Sequence, residues 1–329
     1  MKNIGIIGEG SWATALVKVL QINGHKVNWL IRFDEIKEGI IQTRHNPSYL
    51  SDIELDVEKI NFYNQVEKFF YESELIFFVL PAIFTEYFLV DVNKDFLKDK
   101  YIISATKGIL PQSNLTLTQF FNQKYNIPRH YLGFLSGPSH AEEVAMERLT
   151  FLTIMTENNQ LSEIIVNLLS NRFIKISINS DIEGAEYATA IKNIIAIAAG
   201  IIHSLGFGDN FLSVLVSNGI KEIENFINTI VPNKRNITDF VYLGDLLVTC
   251  YSQFSRNRTL GVMLGKGYSL KAAQLEMNMI AEGYYAVKSI MEIARSRNID
   301  MPICQAVYDI IYQRYSPTIE IKLLIDKLK

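Results

Sequence analysis

The sequence predicts an α/β domain with a doubly wound, mostly parallel sheet, followed by an all-α domain. In the first half, short runs of Ile, Val, Leu, Phe and Tyr alternate with segments long enough for crossover helices. Such nearly continuous apolar runs are typical of strands that helices cover on both faces. From about residue 181 the periodicity becomes helical and strand signals become rare. We therefore predict two domains, 1–180 and 181–329, which also fits the usual size of domains.

Seven short segments are predicted as strands: 3–7, 26–31, 75–80, 101–104, 131–135, 151–155 and 173–178. The first crossover helix is predicted over 11–23, and the C-terminal helices over 183–204, 212–230, 270–297 and 302–313, with two helices as the alternative for 270–297. Two apolar stretches, 75–90 and 191–202, resemble membrane segments, but polar residues interrupt the first and the second is short. A spanning helix needs ~20 mostly apolar residues, so no membrane insertion is expected.

Composition indicates an ordinary globular protein, with 48% hydrophobic and 20% charged residues. The net charge of −3 and the lack of a long basic run argue against a nucleic-acid partner. Two cysteines, Cys250 and Cys304, are too few for a disulfide framework and favour a reducing compartment. Because the N-terminus is not that of a signal peptide, we expect a cytoplasmic protein. The five histidines show no metal-ligand spacing, so no metal site is predicted.

A glycine-rich motif, Gly8-Glu9-Gly10-Ser11-Trp12-Ala13, joins the first predicted strand to the first predicted helix. Gly8 allows a tight turn, Gly10 lets the backbone approach a pyrophosphate, and Ala13 lets helix and strand pack closely. The helix N-terminus then offers N–H groups to the phosphates. Glycine-rich turns also occur without a ligand, but the strand–turn–helix context here favours a Rossmann-type dinucleotide site. Glu9 is unusual at this place; we expect it to point to solvent, and a weakened cofactor affinity is the alternative effect.

The residue after the second strand indicates which cofactor binds. An acidic residue there favours NAD, and an arginine accommodates the 2′-phosphate of NADP. Arg32 stands at this place and Asp34 lies two residues further on. The sequence therefore favours NADPH, with use of both NADPH and NADH as the next interpretation, and a solvated surface arginine is the alternative role of Arg32.

Further motifs follow in order: Ser104–Gly108, Ser136–Glu143, Ala190–Ile194, Gly244–Cys250 and Ser255–Arg258. With His45–Leu50 and Ala281–Tyr284, they resemble the bacterial NAD(P)-dependent glycerol-3-phosphate dehydrogenase family from residue 5 to about residue 288. The resemblance implies reversible hydride transfer between NAD(P)H and dihydroxyacetone phosphate. The resemblance also implies that the product, glycerol 3-phosphate, feeds phospholipid synthesis.

Reduction of a ketone needs a proton donor, and Lys192 is the candidate because it lies in an apolar helical run. Burial and a second ammonium group both lower a lysine pKa, which allows proton exchange near neutral pH. A structural lysine whose head reaches solvent is the alternative. The resemblance implies that Lys192 is the general acid/base. Lys107 follows a strand and is implied to contact substrate and cofactor, whereas an ordinary loop lysine is its alternative.

Asp245 is a candidate to hold an ammonium group or a substrate hydroxyl, and a helix N-cap is its alternative role. Arg256 and Asn257 are predicted to hold the phosphate, because arginine donors match phosphate oxygens; a solvated loop is the alternative. The resemblance extends the substrate contacts to Gly137, Ser139, Lys192, Asp245 and Ser255. It implies cofactor contacts by Ser11, Trp12, Arg32, Lys107, Ala141, Arg256 and Glu282.

The sequence therefore predicts a dehydrogenase with Lys192, Lys107 and Asp245 as its catalytic residues. A related two-domain hydroxy-acid or sugar-acid dehydrogenase, or a non-catalytic dinucleotide-binding sensor, is the alternative. The apolar helical domain also suggests a homodimer.

Overall fold

The computed structural model describes residues 3–277 and 279–328. The chain forms two compact units. The first consists of the chain up to Leu80 with Phe84–Thr106 and Leu117–Ile182, and the second of Pro81–Ile83, Lys107–Thr116 and the chain from Glu183 onward. Two short segments of the N-terminal half thus belong to the second unit.

The first unit contains an eight-stranded sheet in the order β3-β2-β1-β4-β5-β6-β7-β8. All neighbouring strands are parallel except β6 and β7, which are antiparallel. The predicted α/β fold is confirmed. Among the described strands only β3 was not predicted, because the exposed Asn61 breaks the apolar pattern of this four-residue edge strand. The strands are β1 Ile4–Ile7, β2 Val27–Leu30, β3 Ile60–Tyr63, β4 Leu75–Phe78, β5 Tyr101–Ser104, β6 Leu132–Ser136, β7 Thr150–Met155 and β8 Ile174–Asn179.

Helices connect these strands, and their apolar faces complete a core that includes Leu16, Trp29 and Phe77. The strand order reverses beside β1, where β2 and β4 flank it. In doubly wound sheets, ligands bind at the carboxyl ends of the strands at such a point. The helices are α1 Ser11–Ile22, α2 Asp34–Thr43, α3 Val66–Glu72, α4 Ala82–Val90, α5 Leu117–Tyr125, α6 Ala141–Ala145 and α7 Asn159–Leu169, with 3₁₀ turns at Val57–Lys59, Lys94–Leu97 and Arg129–Tyr131.

The second unit is helical, as predicted. Its longest helix, α8, is long and apolar enough to cross a membrane, but its most apolar stretch is entirely buried within the protein. Gly200, Gly261 and Gly265 let α8 and α11 approach closely, since a Cβ on Gly200 or Gly261 would collide with backbone of the facing helix. The helices are α8 Ile182–Ser204, α9 Asp209–Ile230, α10 Asp245–Tyr251, α11 Arg256–Gly265, α12 Leu270–Glu276, α13 Glu282–Ser296, α14 Pro302–Tyr312 and α15 Pro317–Ile325, and a π-helical turn, Phe240–Gly244, leads into α10.

Candidate functional site

The glycine-rich turn follows β1 at the point where the strand order reverses. Gly8 has a φ of +119°, and a Cβ there would lie 2.7 Å from the Val79 carbonyl oxygen, so only glycine fits. A Cβ on Gly10 would meet no described atom within 4 Å outside its chain neighbours. Gly10 is also the N-cap of α1, and no side chain caps this helix end. The turn therefore leaves room beside a helix N-terminus, as a pyrophosphate requires.

The carbonyl oxygens of the turn all accept hydrogen bonds from within the first unit. The indole Nε1 of Trp29 donates to Gly8 O at 2.6 Å, and Thr14 Oγ1 donates to Gly10 O at 3.1 Å. Between them, Asn46 Nδ2 donates to Glu9 O at 3.0 Å. These bonds fix the orientation of the peptide planes. They also occupy the carbonyl oxygens, which are the negative ends of the peptide dipoles. The arrangement fits the pyrophosphate of a dinucleotide.

Asn46 is a positioning residue that the sequence analysis quoted in a motif without assigning it a role. It is fully buried, and its Oδ1 accepts the N–H groups of Ser48 and Tyr49, each at 3.1 Å. Its amide therefore connects this loop to the glycine-rich turn. An asparagine between His45 and Pro47 carries no helical or strand periodicity, so its sequence context did not signal this role.

We expect Asn46→Ala to lower the free energy of unfolding by about 1–3 kcal/mol, because buried partners lose their hydrogen bonds. The cofactor dissociation constant should also rise, since Glu9 O is no longer held. Denaturant unfolding and cofactor titration measure the two effects. Asn122→Ala, which removes a single 3.0 Å bond to Ile127 O, is the control and should leave cofactor affinity unchanged. Wild-type cofactor affinity in the Asn46 variant would contradict the positioning role.

The expectation that Glu9 points to solvent is wrong. Glu9 is 4% exposed, and its Oε1 lies 2.5 Å from the Nη2 of Arg32. Its Oε2 lies 3.5 Å from Arg32 Nε, so both carboxylate oxygens face the guanidinium. The reason is that Asn46 fixes the Glu9 backbone while Arg32, just beyond β2, offers a cation within reach of the side chain. The proposed cofactor-selecting arginine is therefore already paired.

The remaining residues of the first unit that were predicted to bind cofactor or substrate lie at the start of α1 and between β6 and the start of α6. Ser11 and Ala13 are buried in the first turn of α1, and Trp12 is partly buried with its Nε1 unpaired among the described residues. Gly137 has a φ of +140°, and a Cβ there would lie 2.7 Å from Phe151 O. The Oγ of Ser139 donates to Gly137 O at 2.9 Å. Ala141 begins α6, which packs against α1.

Three predicted catalytic residues come together in the second unit. Lys192 lies near the middle of α8 and is 3% exposed, and its Nζ lies 2.5 Å from Asp245 Oδ1. The other oxygen, Oδ2, lies 3.8 Å from the Nζ of Lys107, whose side chain is 22% exposed. Asp245 is 1% exposed. A buried carboxylate thus bridges two ammonium groups, one buried and one partly open to solvent.

Burial and the positive charge of Lys107 together lower the pKa of Lys192 to about 7, against the opposing effect of Asp245. Lys192 therefore exchanges protons near neutral pH, which a general acid/base requires. The alternative that its head reaches solvent is wrong, because the whole side chain is enclosed. Nearby Cys250 is fully buried, and burial raises the pKa of its thiol to about 12, so it is no nucleophile.

Asp245 is the first residue of α10 and not its N-cap, so that alternative is wrong as well. The physical reason is the π-helical turn, which runs into α10 without an extended cap residue. Thr249 Oγ1 donates to Asp245 O at 2.6 Å and ties the first turn of the helix.

Asn193, next to Lys192, is a second positioning residue to which the sequence analysis gave no role. Its Nδ2 donates to Lys107 O at 2.8 Å, which fixes the segment that carries the outer lysine. On its other side, a Cβ on Gly283 would lie 2.6 Å from Asn193 O. Lys192 and Asn193, which are adjacent on α8, thus provide the buried lysine and the support for the segment that carries Lys107.

Glu282, the first residue of α13, lies close to the segment that carries Lys107. Its Oε1 accepts the N–H of Ala82 at 3.1 Å. A Cβ on Gly108 would collide with its Oε2, so the glycine after Lys107 makes room for this carboxylate. Burial raises the pKa of Glu282 to about 7, against the Ala82 hydrogen bond and the charge of Arg256.

Ser255, Arg256 and Asn257 lie at the start of α11 and not in a solvated loop. Ser255 is the N-cap, and its Oγ accepts the N–H of Arg258 at 3.3 Å. Asn257 is buried, and its Oδ1 accepts the N–H of Gly283 at 2.8 Å. Its oxygen therefore supports the start of α13. Arg256 is partly exposed on the same turn.

No group of three or more His, Cys, Asp or Glu side chains among residues 3–277 and 279–328 is arranged to hold a metal ion. The second unit thus gathers Lys107, Lys192, Asp245, Arg256 and Glu282 around α8, and the first gathers the glycine-rich turn, Arg32 and Asn46 around β1.

Comparison with known proteins identifies the family. The models for the N-terminus and the C-terminus of NAD-dependent glycerol-3-phosphate dehydrogenase match residues 3–162 and 181–322. Glycerol-3-phosphate dehydrogenase [NAD(P)+] of an Exiguobacterium strain is 34% identical over 98% of this chain and 95% of its own. That of Staphylococcus carnosus is 32% identical over 100% and 99%. The crystal structure of glycerol-3-phosphate dehydrogenase from Coxiella burnetii, 27% identical, superposes with a TM-score of 0.93 over 99% of both chains. The chain therefore belongs to the NAD-dependent glycerol-3-phosphate dehydrogenase family.

Proposed function

We propose that this protein is an NAD(P)-dependent sn-glycerol-3-phosphate dehydrogenase, which reversibly reduces dihydroxyacetone phosphate to glycerol 3-phosphate for phospholipid synthesis. The observation that carries the proposal is the cluster of buried Lys192 and Asp245 with the partly exposed Lys107, in a chain of this family. The relatives, named glycerol-3-phosphate dehydrogenase [NAD(P)+], support the same reaction. The hydroxy-acid dehydrogenase and sensor alternatives are not favoured by these matches.

The cluster has the chemistry of a proton donor. Lys192 in its ammonium form donates a proton to the substrate carbonyl oxygen as the hydride arrives, and its neutral amine accepts the proton in the reverse direction. Asp245 orients the ammonium group through the 2.5 Å contact. Lys107 stabilises negative charge on the reacting end and keeps the pKa of Lys192 low.

The phosphate of the substrate is assigned to the start of α11. Arg256 supplies paired donors that match phosphate oxygens, and the Nδ2 of Asn257 adds a neutral donor. Ser255 contributes its hydroxyl group at the N-cap. The substrate contacts implied for Gly137 and Ser139 stay predictions.

Bound NAD(P)H supplies the hydride. Gly8, Gly10, Ser11, Trp12 and Ala13 form the turn and helix end that would hold its pyrophosphate, with Arg32 beyond the second strand. Contacts of Ala141, Lys107, Arg256 and Glu282 with the cofactor stay predictions, as do the NADPH preference, the homodimer and the cytoplasmic location.

The first test is oxidation of NADPH and of NADH, followed at 340 nm, with dihydroxyacetone phosphate as substrate. Turnover with this ketone, and none with hydroxy-acid or sugar-acid substrates, is the expected result. Cofactor binding without turnover would favour the sensor alternative. Turnover only with a different carbonyl compound would overturn the assigned substrate.

We expect Arg256→Ala to raise the KM for dihydroxyacetone phosphate about 10- to 100-fold, the scale of a lost charge-assisted hydrogen bond. The variant should also discriminate less between this substrate and unphosphorylated dihydroxyacetone. Steady-state kinetics with both ketones measure the change. Arg295→Ala, which removes an exposed arginine that lies over the Tyr308 ring, is the control. If both substrates lose activity equally, Arg256 does not hold the phosphate.

A further inference from the structure

The ion pair between Glu9 and Arg32 has a consequence for cofactor choice, and this inference rests on the proposed use of a nicotinamide dinucleotide. Both oxygens of Glu9 face the guanidinium of Arg32, at 2.5 Å and 3.5 Å. The Glu9 side chain is 5% exposed and that of Arg32 is 31% exposed. The carboxylate is therefore shielded from water, while one part of the arginine still faces solvent.

The pair is held on both sides before any ligand arrives. On the acidic side, Asn46 donates to Glu9 O and Trp29 donates to Gly8 O, and these bonds hold the backbone of the turn in place. On the basic side, the guanidinium lies 5.3 Å from the Phe33 ring centroid and 5.8 Å from that of Phe84. Such contacts favour the observed orientation of the arginine.

Glu9 and Arg32 therefore form an ion pair with no net charge, and Arg32 is not a lone cation. A 2′-phosphate needs the arginine donors that Glu9 occupies, and it would bring two further negative charges beside a buried carboxylate. Separating a shielded ion pair costs much more than separating a solvated one. A ribose 2′-hydroxyl, in contrast, is neutral and donates a hydrogen bond to a carboxylate, which is how acidic residues select NAD.

We propose that Glu9 is a cofactor-selecting residue that shifts this enzyme from NADPH toward NADH by neutralising Arg32. The carboxylate comes from the middle of the glycine-rich turn, whereas NAD-selecting sites usually take it from the end of the second strand. This opposes the NADPH preference that Arg32 alone suggested.

The test compares dissociation constants of NADPH and NADH by calorimetric titration of wild type and Glu9→Gln, without ketone substrate. Glutamine keeps the shape of the side chain and removes its charge. Glu9→Gln is expected to tighten NADPH binding about tenfold or more relative to NADH, the scale of one charge-assisted hydrogen bond. The gain should fade at high salt, because ions screen the freed arginine.

Two further variants make the result specific. Glu54→Gln removes an equal charge from an exposed pair with Arg44 at 3.6 Å and should leave the NADPH-to-NADH ratio unchanged. In Glu9→Gln/Arg32→Gln, the gain for NADPH should vanish, since it requires the arginine. An unchanged ratio in Glu9→Gln, with both cofactors bound, would overturn this inference and leave the proposed function intact. Failure of the folded wild type to bind either cofactor would overturn both.

Discussion

Replacing Lys192 by alanine is expected to lower kcat at least about 100-fold, the usual contribution of a general acid or base. The ammonium group 2.5 Å from Asp245 is the proton donor in our proposal, and alanine removes it without adding bulk. The dissociation constant of the cofactor should stay near the wild-type value, because the glycine-rich turn is unchanged. Stopped-flow oxidation of NAD(P)H and separate cofactor titration measure the two quantities.

Lys100→Ala is a matched control for this variant. Lys100 is also partly buried, with a pKa lowered by burial, and its Nζ donates to Ser73 O at 2.7 Å in the first unit. The Lys100→Ala variant should retain the wild-type kcat. An unchanged kcat in Lys192→Ala would exclude Lys192 as the donor, whereas equal losses in both lysine variants would indicate general damage to the fold.

Replacing Asp245 by asparagine is expected to lower kcat roughly 100-fold at neutral pH, because proton transfer by Lys192 depends on this carboxylate. Asp245 holds the pKa of Lys192 up, against burial and the charge of Lys107. Without the carboxylate, the pKa of Lys192 falls below about 7 and the lysine loses its proton at neutral pH. The orientation of its Nζ is weakened as well.

The pH dependence separates this effect from simple unfolding. Ketone reduction needs the ammonium form of Lys192, so its rate should fall as pH rises through about 7. Oxidation of glycerol 3-phosphate needs the neutral amine, so its rate should rise over the same range. In Asp245→Asn both midpoints should move to lower pH. Unmoved midpoints would mean that Asp245 does not act on the donor.

Glu222→Gln is the control for Asp245→Asn. Glu222 is another buried carboxylate of the second unit, and burial raises its pKa to about 7. Its oxygens accept the N–H groups of Ile303, at 2.5 Å, and Cys304, at 3.3 Å, at the start of α14. Its replacement should change stability and leave the pH midpoints of the reaction in place.

The fold class was predictable because it has a strong local signal, whereas the candidate catalytic residues Lys107, Lys192 and Asp245 were predicted mainly from the family resemblance. Apolar runs predicted seven of the eight strands, and the glycine spacing located the turn after β1. Lys192 could be singled out because a lone charge in an apolar helix is conspicuous. The pairing of its Nζ with Asp245 depends on the packing of α8 against α10, and helical periodicity does not determine which side chains meet there.

The partner of Glu9 was beyond sequence reasoning for a related reason. Glu9 follows β1 and Arg32 follows β2, the neighbouring strand. Their contact depends on the direction in which the glycine-rich turn points the Glu9 side chain. The buried asparagines Asn46 and Asn193 were equally inconspicuous, since their roles lie in hydrogen bonds to backbone atoms remote in sequence. Amide side chains of this kind have no periodic signature.

The membership of Lys107–Thr116 in the second unit constrains when the enzyme can mature during synthesis. Lys107 leaves the ribosome roughly 140 residues before Asp245, which corresponds to roughly 7–28 s at the usual ~5–20 residues per second. The segment lacks Asn193 until residue 193 is made, and it lacks Asp245 over the whole interval. Nascent chains released early would carry a complete glycine-rich turn and no assembled proton donor.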